Sequence, residues 1–276
     1  MREREEGSVE MSDGGRLHYE IAGAGSVVTL LHPGLWDMRT WDPHFEPWSD
    51  RFKVLRYDQR GYGKSSRPDG SAYSHVRDLV ALLDHLGIER TALVGCSMGG
   101  ALAVDATLSV PERVWALVPI ASGLGGFEEN EDEEAWWDER AAPIEQAAEA
   151  GDLERAQDLA LGIWAPLGVD DEAGARIKQI ARDNIHEMTM DESAAEQIDP
   201  PAAMRLSEID VPTLVVEAQH DPPDGRRASQ MIAREVLDGR LVTIDADHVV
   251  NLRAPEAFDD AVLPFLLEVS PELGSS

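Results

Sequence analysis

The sequence predicts an α/β fold, a mostly parallel central sheet flanked by helices and interrupted once by an all-helical insertion. Three observations carry that reading. Short, solid apolar runs recur along the chain, as strands buried on both faces require. Amphipathic helical stretches lie between most of them, the pattern of parallel strands joined by crossovers. Across residues 125–206 the alternation stops and only helical periodicity remains. The 276 residues, 43% of them hydrophobic, suffice for a large core.

In chain order, residues 16–21 alternate apolar and polar and end at Gly23-Ala24-Gly25, which predicts an edge strand and a hairpin into the buried run Val27-Val28-Thr29-Leu30-Leu31. Further strands are expected at residues 53–57, 91–94, 114–120, 212–216 and 240–244. Val76, Leu79, Val80, Leu83 and Leu86 define one helix face, and residues 101–108 a second helix. The insertion opens with the acidic run 128–134, a solvated approach, and shows helical patterns near residues 135–150, 153–164, 172–188 and 192–197. Asp152 is placed to cap the second of these, and Pro200-Pro201 and Pro212 mark the return to the sheet. The expected organisation is a core of residues 1–124 and 207–276 with a helical cap, or lid, at 125–206.

Acidic residues outnumber basic ones 53 to 24, for a formal charge of -29, so the surface repels nucleic acid phosphates and anionic lipid, and neither is an expected partner. Cys96 is the single cysteine, which excludes an internal disulfide and makes a reducing cytoplasm the expected location. Met1-Arg2-Glu3-Arg4-Glu5-Glu6 lacks the apolar core of a signal peptide, and no run approaches the roughly 20 apolar residues of a membrane span.

The chemistry centres on Gly95-Cys96-Ser97-Met98-Gly99, which follows Thr91-Ala92-Leu93-Val94 and precedes a helical run. In a strand–turn–helix context the glycines relieve crowding around a strained backbone and Ser97 stands at the apex, near the free N–H groups of a helix N-terminus that stabilise an oxyanion. Cys96 is expected to point away from the apex into packing. A serine nucleophile needs a base, and the base an orienting acid. His248, in Asp245-Ala246-Asp247-His248, and Asp221, after residues 214–220, each follow a predicted strand, at the edge where α/β sheets place their chemistry. Asp224 is a rival for the acid, and Asp221 is preferred because it lies nearer the strand end. Asp247 puts another carboxylate beside the base, where it either favours the imidazolium or faces solvent. His32 is read as a brace for its turn. Gly23-Ala24-Gly25 is not followed by a helix and so is no dinucleotide fingerprint, no phosphate-binding loop is present, and the His220, Asp221, Asp245, Asp247 and His248 group matches no metal-ligand spacing. No cofactor and no metal are expected.

Over nearly its whole length the chain resembles the α/β-hydrolase superfamily, of the serine esterase or lactonase type with a helical cap. Besides the elbow, the resemblance rests on His32-Pro33-Gly34, on Asp58-Gln59-Arg60-Gly61-Tyr62-Gly63-Lys64-Ser65, and on His248 followed by Pro255-Glu256-Ala257-Phe258. It implies a triad of Ser97, Asp221 and His248, in the family's chain order, and an oxyanion hole built from the N–H groups of Met98 and Leu35. The chain departs from the family pattern at Ala218 and Asp247, where glycine is usual, and at His-Pro-Gly, where His-Gly is commoner. Serine at the elbow argues against the dehalogenase and epoxide hydrolase branches. The implied activity is cleavage of a carboxylic ester or lactone through an acyl-enzyme on Ser97, with a small-molecule substrate. A cofactor-free perhydrolase or haloperoxidase-like enzyme and a ligand-sensing receptor with little turnover are the alternatives. The stretch Trp41-Asp42-Pro43 with residues 52–58 is similar to that of enol-lactone hydrolases. Trp136, Trp137 and Trp164 are candidate pocket-lining residues, and Arg140, Arg155, Arg176 and Arg182 the cap cations that an anionic substrate would need. The overall charge favours a neutral one.

Overall fold

The computed structural model describes residues 4–271. β3 (Val27–Leu31) lies between β4 (Lys53–Tyr57) and β5 (Thr91–Cys96), parallel to both, and β6 (Val114–Ile120), β7 (Thr213–Ala218) and β8 (Gly239–Ile244) extend the parallel array. β2 (Arg16–Gly23) pairs antiparallel with β4 on one side and with β1 (Arg4–Glu10) on the other, giving the order β1-β2-β4-β3-β5-β6-β7-β8. The expected edge strand at residues 16–21 is therefore an inner one. β1, Arg-Glu-Glu-Gly-Ser-Val-Glu, has a sequence of low strand propensity; its pairing with β2 makes it a strand, and its charges blunt the new edge.

The two faces of the sheet carry separate cores. On one, α2 (His75–His85), α3 (Met98–Ser109) and α7 (Pro223–Glu235) bury Leu79, Leu82, Leu102, Ala106 and Ile232 against Leu31, Leu93 and Val215. On the other, Trp41, which precedes α1 (Asp42–Trp48), packs with Phe45 and Trp48 of α1, Val250 of α8 (Val250–Arg253) and Phe258 and Leu266 of α9 (Pro255–Val269) over Leu30, Val94 and Val118. Each such fully buried large side chain contributes roughly 1.5–3 kcal/mol. α1 escapes the apolar-periodicity reading because Asp42-Pro43-His44-Phe45-Glu46-Pro47-Trp48 is short and carries two prolines, one tolerated in its first turn.

Between β6 and β7 the chain forms α4 (Glu131–Glu149), α5 (Leu153–Trp164) and α6 (Glu172–Asp183). Asn130 and Glu133 close a capping box on α4, and Asp152 accepts from the Arg155 N–H at the start of α5. The expected helix over 172–188 ends at Asp183, capped by Asn184, and continues as a 3-10 turn, Ile185–Thr189. Residues 192–197, expected to be helical, instead form a turn bridged to Tyr73 through Ala195. Ala160, Leu161, Ile177 and Ile180 form a small core with Leu35, Trp36, Val249 and Leu252, which joins these helices to the loops after β3 and β8. Polar ties add to it: Trp36 Nε1 donates to the Ile177 carbonyl at 2.9 Å, and Asn184 Nδ2 to Asp37 at 2.7 Å. Among the described residues no helix is long and apolar enough to cross a membrane.

Candidate active site

The sequence-derived candidates outside the insertion lie in the loops that leave the C-terminal ends of parallel strands or, for Met98 and Asp224, in the first turn of the helix that follows, and the topology brings those loops to one edge of the sheet. Ser97 occupies the turn from β5 to α3 with φ 52 and ψ -114, a conformation that costs a non-glycine residue free energy. It is pinned there, its N–H donating to the Ile120 carbonyl at 2.8 Å and its carbonyl accepting from Ala101 at 2.9 Å. A Cβ at residue 95 would overlap the Gly99 carbonyl, and one at residue 99 the Leu31 and His32 carbonyls. Both glycines are thus required by neighbouring backbone, which cannot swing away.

Leu35 follows Gly34 with φ 68, another left-handed non-glycine residue. His32, fully buried, holds this turn to the loop after β4: its Nδ1 donates to the Pro33 carbonyl at 2.8 Å and its Nε2 accepts from the Gln59 N–H at 2.9 Å. Burial lowers its pKa to about 4, so it is a neutral brace and no proton carrier near neutrality. Cys96 lies buried on the far side of the elbow, its thiol donating to the His248 carbonyl at 3.3 Å, and burial pushes that thiol well above its ordinary pKa.

His248 and Asp221 meet at 2.6 Å, Nδ1 to Oδ1, and both side chains are almost wholly buried. A carboxylate acceptor fixes the proton on Nδ1 and leaves Nε2 as the basic nitrogen. The His248 ring is held from the other side by Trp164, with centroids 4.3 Å apart. Gly225 keeps space for Asp221, since a Cβ there would lie 2.8 Å from Oδ2. Asp224, one residue before that glycine in α7, is half-buried beside Trp137 and does not bond His248; desolvation raises its carboxyl while the indole opposes the rise. Asp247 neither faces solvent nor stands as a lone charge by the imidazole. It is fully buried and bonds the Arg253 guanidinium at 2.8 and 3.0 Å, and Arg253 in turn bonds Asp171 and the Gly168 carbonyl.

Ser97 and His248 open into one cavity of about 350 Å³, walled by Leu35 and Trp36 from the core and by Ile144, Ala160, Trp164, Glu187 and Met188 from the insertion. Of the three candidate tryptophans, only Trp164 is among its walls; Trp137 packs behind it at 5.4 Å and Trp136 against Trp137 at 4.9 Å. The four arginines considered as an anion clamp are turned elsewhere. Arg140 bonds Glu139, Arg176 bonds Asp42, Arg182 bonds Asp158, and Arg155 is exposed. The sequence reading missed Glu187, a carboxyl on the cavity wall whose Oε2 is buried without a hydrogen-bond partner. Desolvation and the nearby Glu192 raise its pKa to about 7. No motif announces it, because it sits in a 3-10 turn whose burial depends on how the insertion docks.

Away from this cavity, Glu6, His18 and Glu20 could bring three ligand atoms together around a metal ion. Their carboxylates are already committed, Glu20 to Arg4 and Arg56, and Glu6 to Lys64, so a cation there would face three others.

A buried carboxylate–imidazole pair thus shares one cavity with a strained serine at the edge of a mostly parallel sheet. The family model of the alpha/beta hydrolase fold matches residues 30–255, and the chain belongs to that family. Over 92% of this chain and 96% of its own length, a RutD protein of Azorhizobium caulinodans, named for carbamate hydrolysis, is 28% identical. The 3-oxoadipate enol-lactonase 2 of Acinetobacter baylyi is 26% identical over 89% of this chain and 91% of its own. Among solved structures, the enol-lactonase of Burkholderia xenovorans superposes with a TM-score of 0.74 at 25% identity, covering 94% of this chain and 99% of its own. These relatives are hydrolases, and this chain is an α/β hydrolase.

Proposed function

We propose that the protein is a serine hydrolase of carboxylic esters or lactones. The observation that carries the reading is the 2.6 Å bond of His248 to buried Asp221, in a cavity whose wall includes Ser97. Ser97 Oγ attacks the substrate carbonyl as His248 Nε2 takes its proton, and the N–H groups of Met98 and Leu35 receive the oxyanion. His248 then gives the proton to the leaving alcohol, leaving an acyl-enzyme. Water, deprotonated by the same nitrogen, attacks the acyl carbonyl and releases the acid with Ser97 restored. Asp221 holds the tautomer throughout and stabilises the imidazolium. The helical segment acts as a lid that shapes the acyl pocket, and the enol-lactonase relatives favour lactones within the substrate range.

The test is a panel of activated esters and lactones against wild type and Ser97→Ala, with fluorophosphonate labelling. The reading predicts label on Ser97 and a loss in kcat on the order of 10⁴ in the variant. Equal turnover by Ser97→Ala would overturn it. Acyl transfer that requires hydrogen peroxide would assign the perhydrolase alternative, and ligand binding without turnover the receptor.

A further inference from the structure

The acyl-enzyme reading leaves the substrate's remote end unassigned. The wall of the cavity is apolar except at the reacting groups and at Glu187. Glu187 lines the cavity, and its carboxyl oxygen Oε2, closed off from solvent, takes no hydrogen bond from the described residues, so the carboxyl has no partner within the protein to meet its charge. A second carboxylate, Glu192, stands nearby, its Oε1 3.4 Å from the Tyr62 hydroxyl. Among the described residues no Arg or Lys is a cavity wall; Arg140, Arg176 and Arg182 are paired outside it and Arg155 is exposed.

We propose that Glu187 is the specificity-determining residue of this cavity and that the substrates it selects are esters or lactones carrying a protonated amine at the end remote from the scissile carbonyl. The proposal rests on Ser97 being the nucleophile. An ammonium group supplies the missing donor and also the missing countercharge, whereas a hydroxyl supplies only the first and a carboxylate neither. Trp164 on the same wall is an aromatic side chain of the kind that attracts a cation, and the chain's -29 charge draws cations toward the mouth. Among the described residues, the titratable groups that act on Glu187 or share its cavity are Glu192, Tyr62 and His248, none of them a fixed positive charge. Enol-lactone acids, with a carboxylate where this pocket has one of its own, are disfavoured.

Three p-nitrophenyl esters of similar length test this: 6-aminohexanoate, heptanoate and adipate, cationic, neutral and anionic at the remote end. Rates are normalised to the fraction of Ser97 labelled by fluorophosphonate, which removes any loss of folded protein. At about pH 8 and low salt, wild type should favour the ammonium over the neutral ester in kcat/KM by about tenfold or more, and the neutral over the anionic ester. In Glu187→Gln the ammonium preference should shrink to about twofold or less. No ammonium preference in wild type, or one that survives Glu187→Gln, would overturn the assignment. These outcomes are separable from failure of the acyl-enzyme reading, which would appear as turnover of all three esters independent of Ser97.

Discussion

Glu187→Gln makes a prediction about stability that needs no substrate. In the folded protein this carboxyl titrates at about 7 instead of the ordinary 4.5, because desolvation and Glu192 oppose its charge. Between those values the folded state keeps a proton that the unfolded chain has lost. Raising the pH across that window therefore lowers stability, and the loss is complete above about pH 7. At about 1.36 kcal/mol per pH unit the window is worth roughly 3 kcal/mol. Cavity water screens part of this, and the glutamine amide retains some cost of burial, so roughly 2 kcal/mol should be recoverable. For a chain of this size that is a Tm difference of about 3–4 °C. Thermal melts followed by circular dichroism, for both proteins at about pH 4.5 and about pH 8, read it directly. The variant should gain on wild type at the higher pH and match or trail it at the lower. A variant-minus-wild-type difference that is the same at both would refute the buried, proton-holding Glu187.

Asp221→Asn should lower kcat by about 10³–10⁴, as an imidazole in the wrong tautomer cannot act as base, while Asp224→Asn should cost less than about tenfold; steady-state kinetics on one activated ester compare them. Arg253→Met strands Asp247, which is fully buried, and should cost roughly 3–5 kcal/mol in urea unfolding, with Asp247→Asn added to the same chain restoring part of it. Gly99→Ala drives a Cβ into the Leu31 and His32 carbonyls and should destabilise by about 3 kcal/mol or more, whereas Gly162→Ala, in α5 with open space around it, should stabilise by about 0.5–1 kcal/mol.

The parallel part of the sheet was legible because each strand is buried on both faces and reads as an unbroken apolar run; β4 and β6 lie at the bounds their sequences predict. The meeting of Ser97, Asp221 and His248 at one edge followed from the same pattern. Each residue lies just past a strand end, and parallel strands bring those ends together whatever the loops contain. β1 and the turn over residues 192–197 were illegible for the opposite reason. Their local sequences are polar and without period, and only a neighbour, β2 in one case and Tyr73 in the other, decides their conformation.

The environments of the charged residues obey a different logic from their positions. Asp247 sits next to His248 in sequence, yet its partner is Arg253, six residues on, because the turn from β8 into α8 brings the guanidinium beneath the carboxylate and uses Asp171 and Gly168 to satisfy the rest of it. That pairing meets much of the negative charge beside the imidazole, and the ring's direct contacts are with Asp221, its hydrogen-bonded partner, and Trp164, its packed one. Glu187 has no such compensation. A helical insertion tied down through Ile177 and Asn184 carries it to the cavity wall, where the core offers no cation in return. A desolvated carboxyl is costly if left alone, at Asp247 next to His248 in the chain as at Glu187 on the cavity wall. One is matched within the chain, and the other is left to be matched by what the cavity binds.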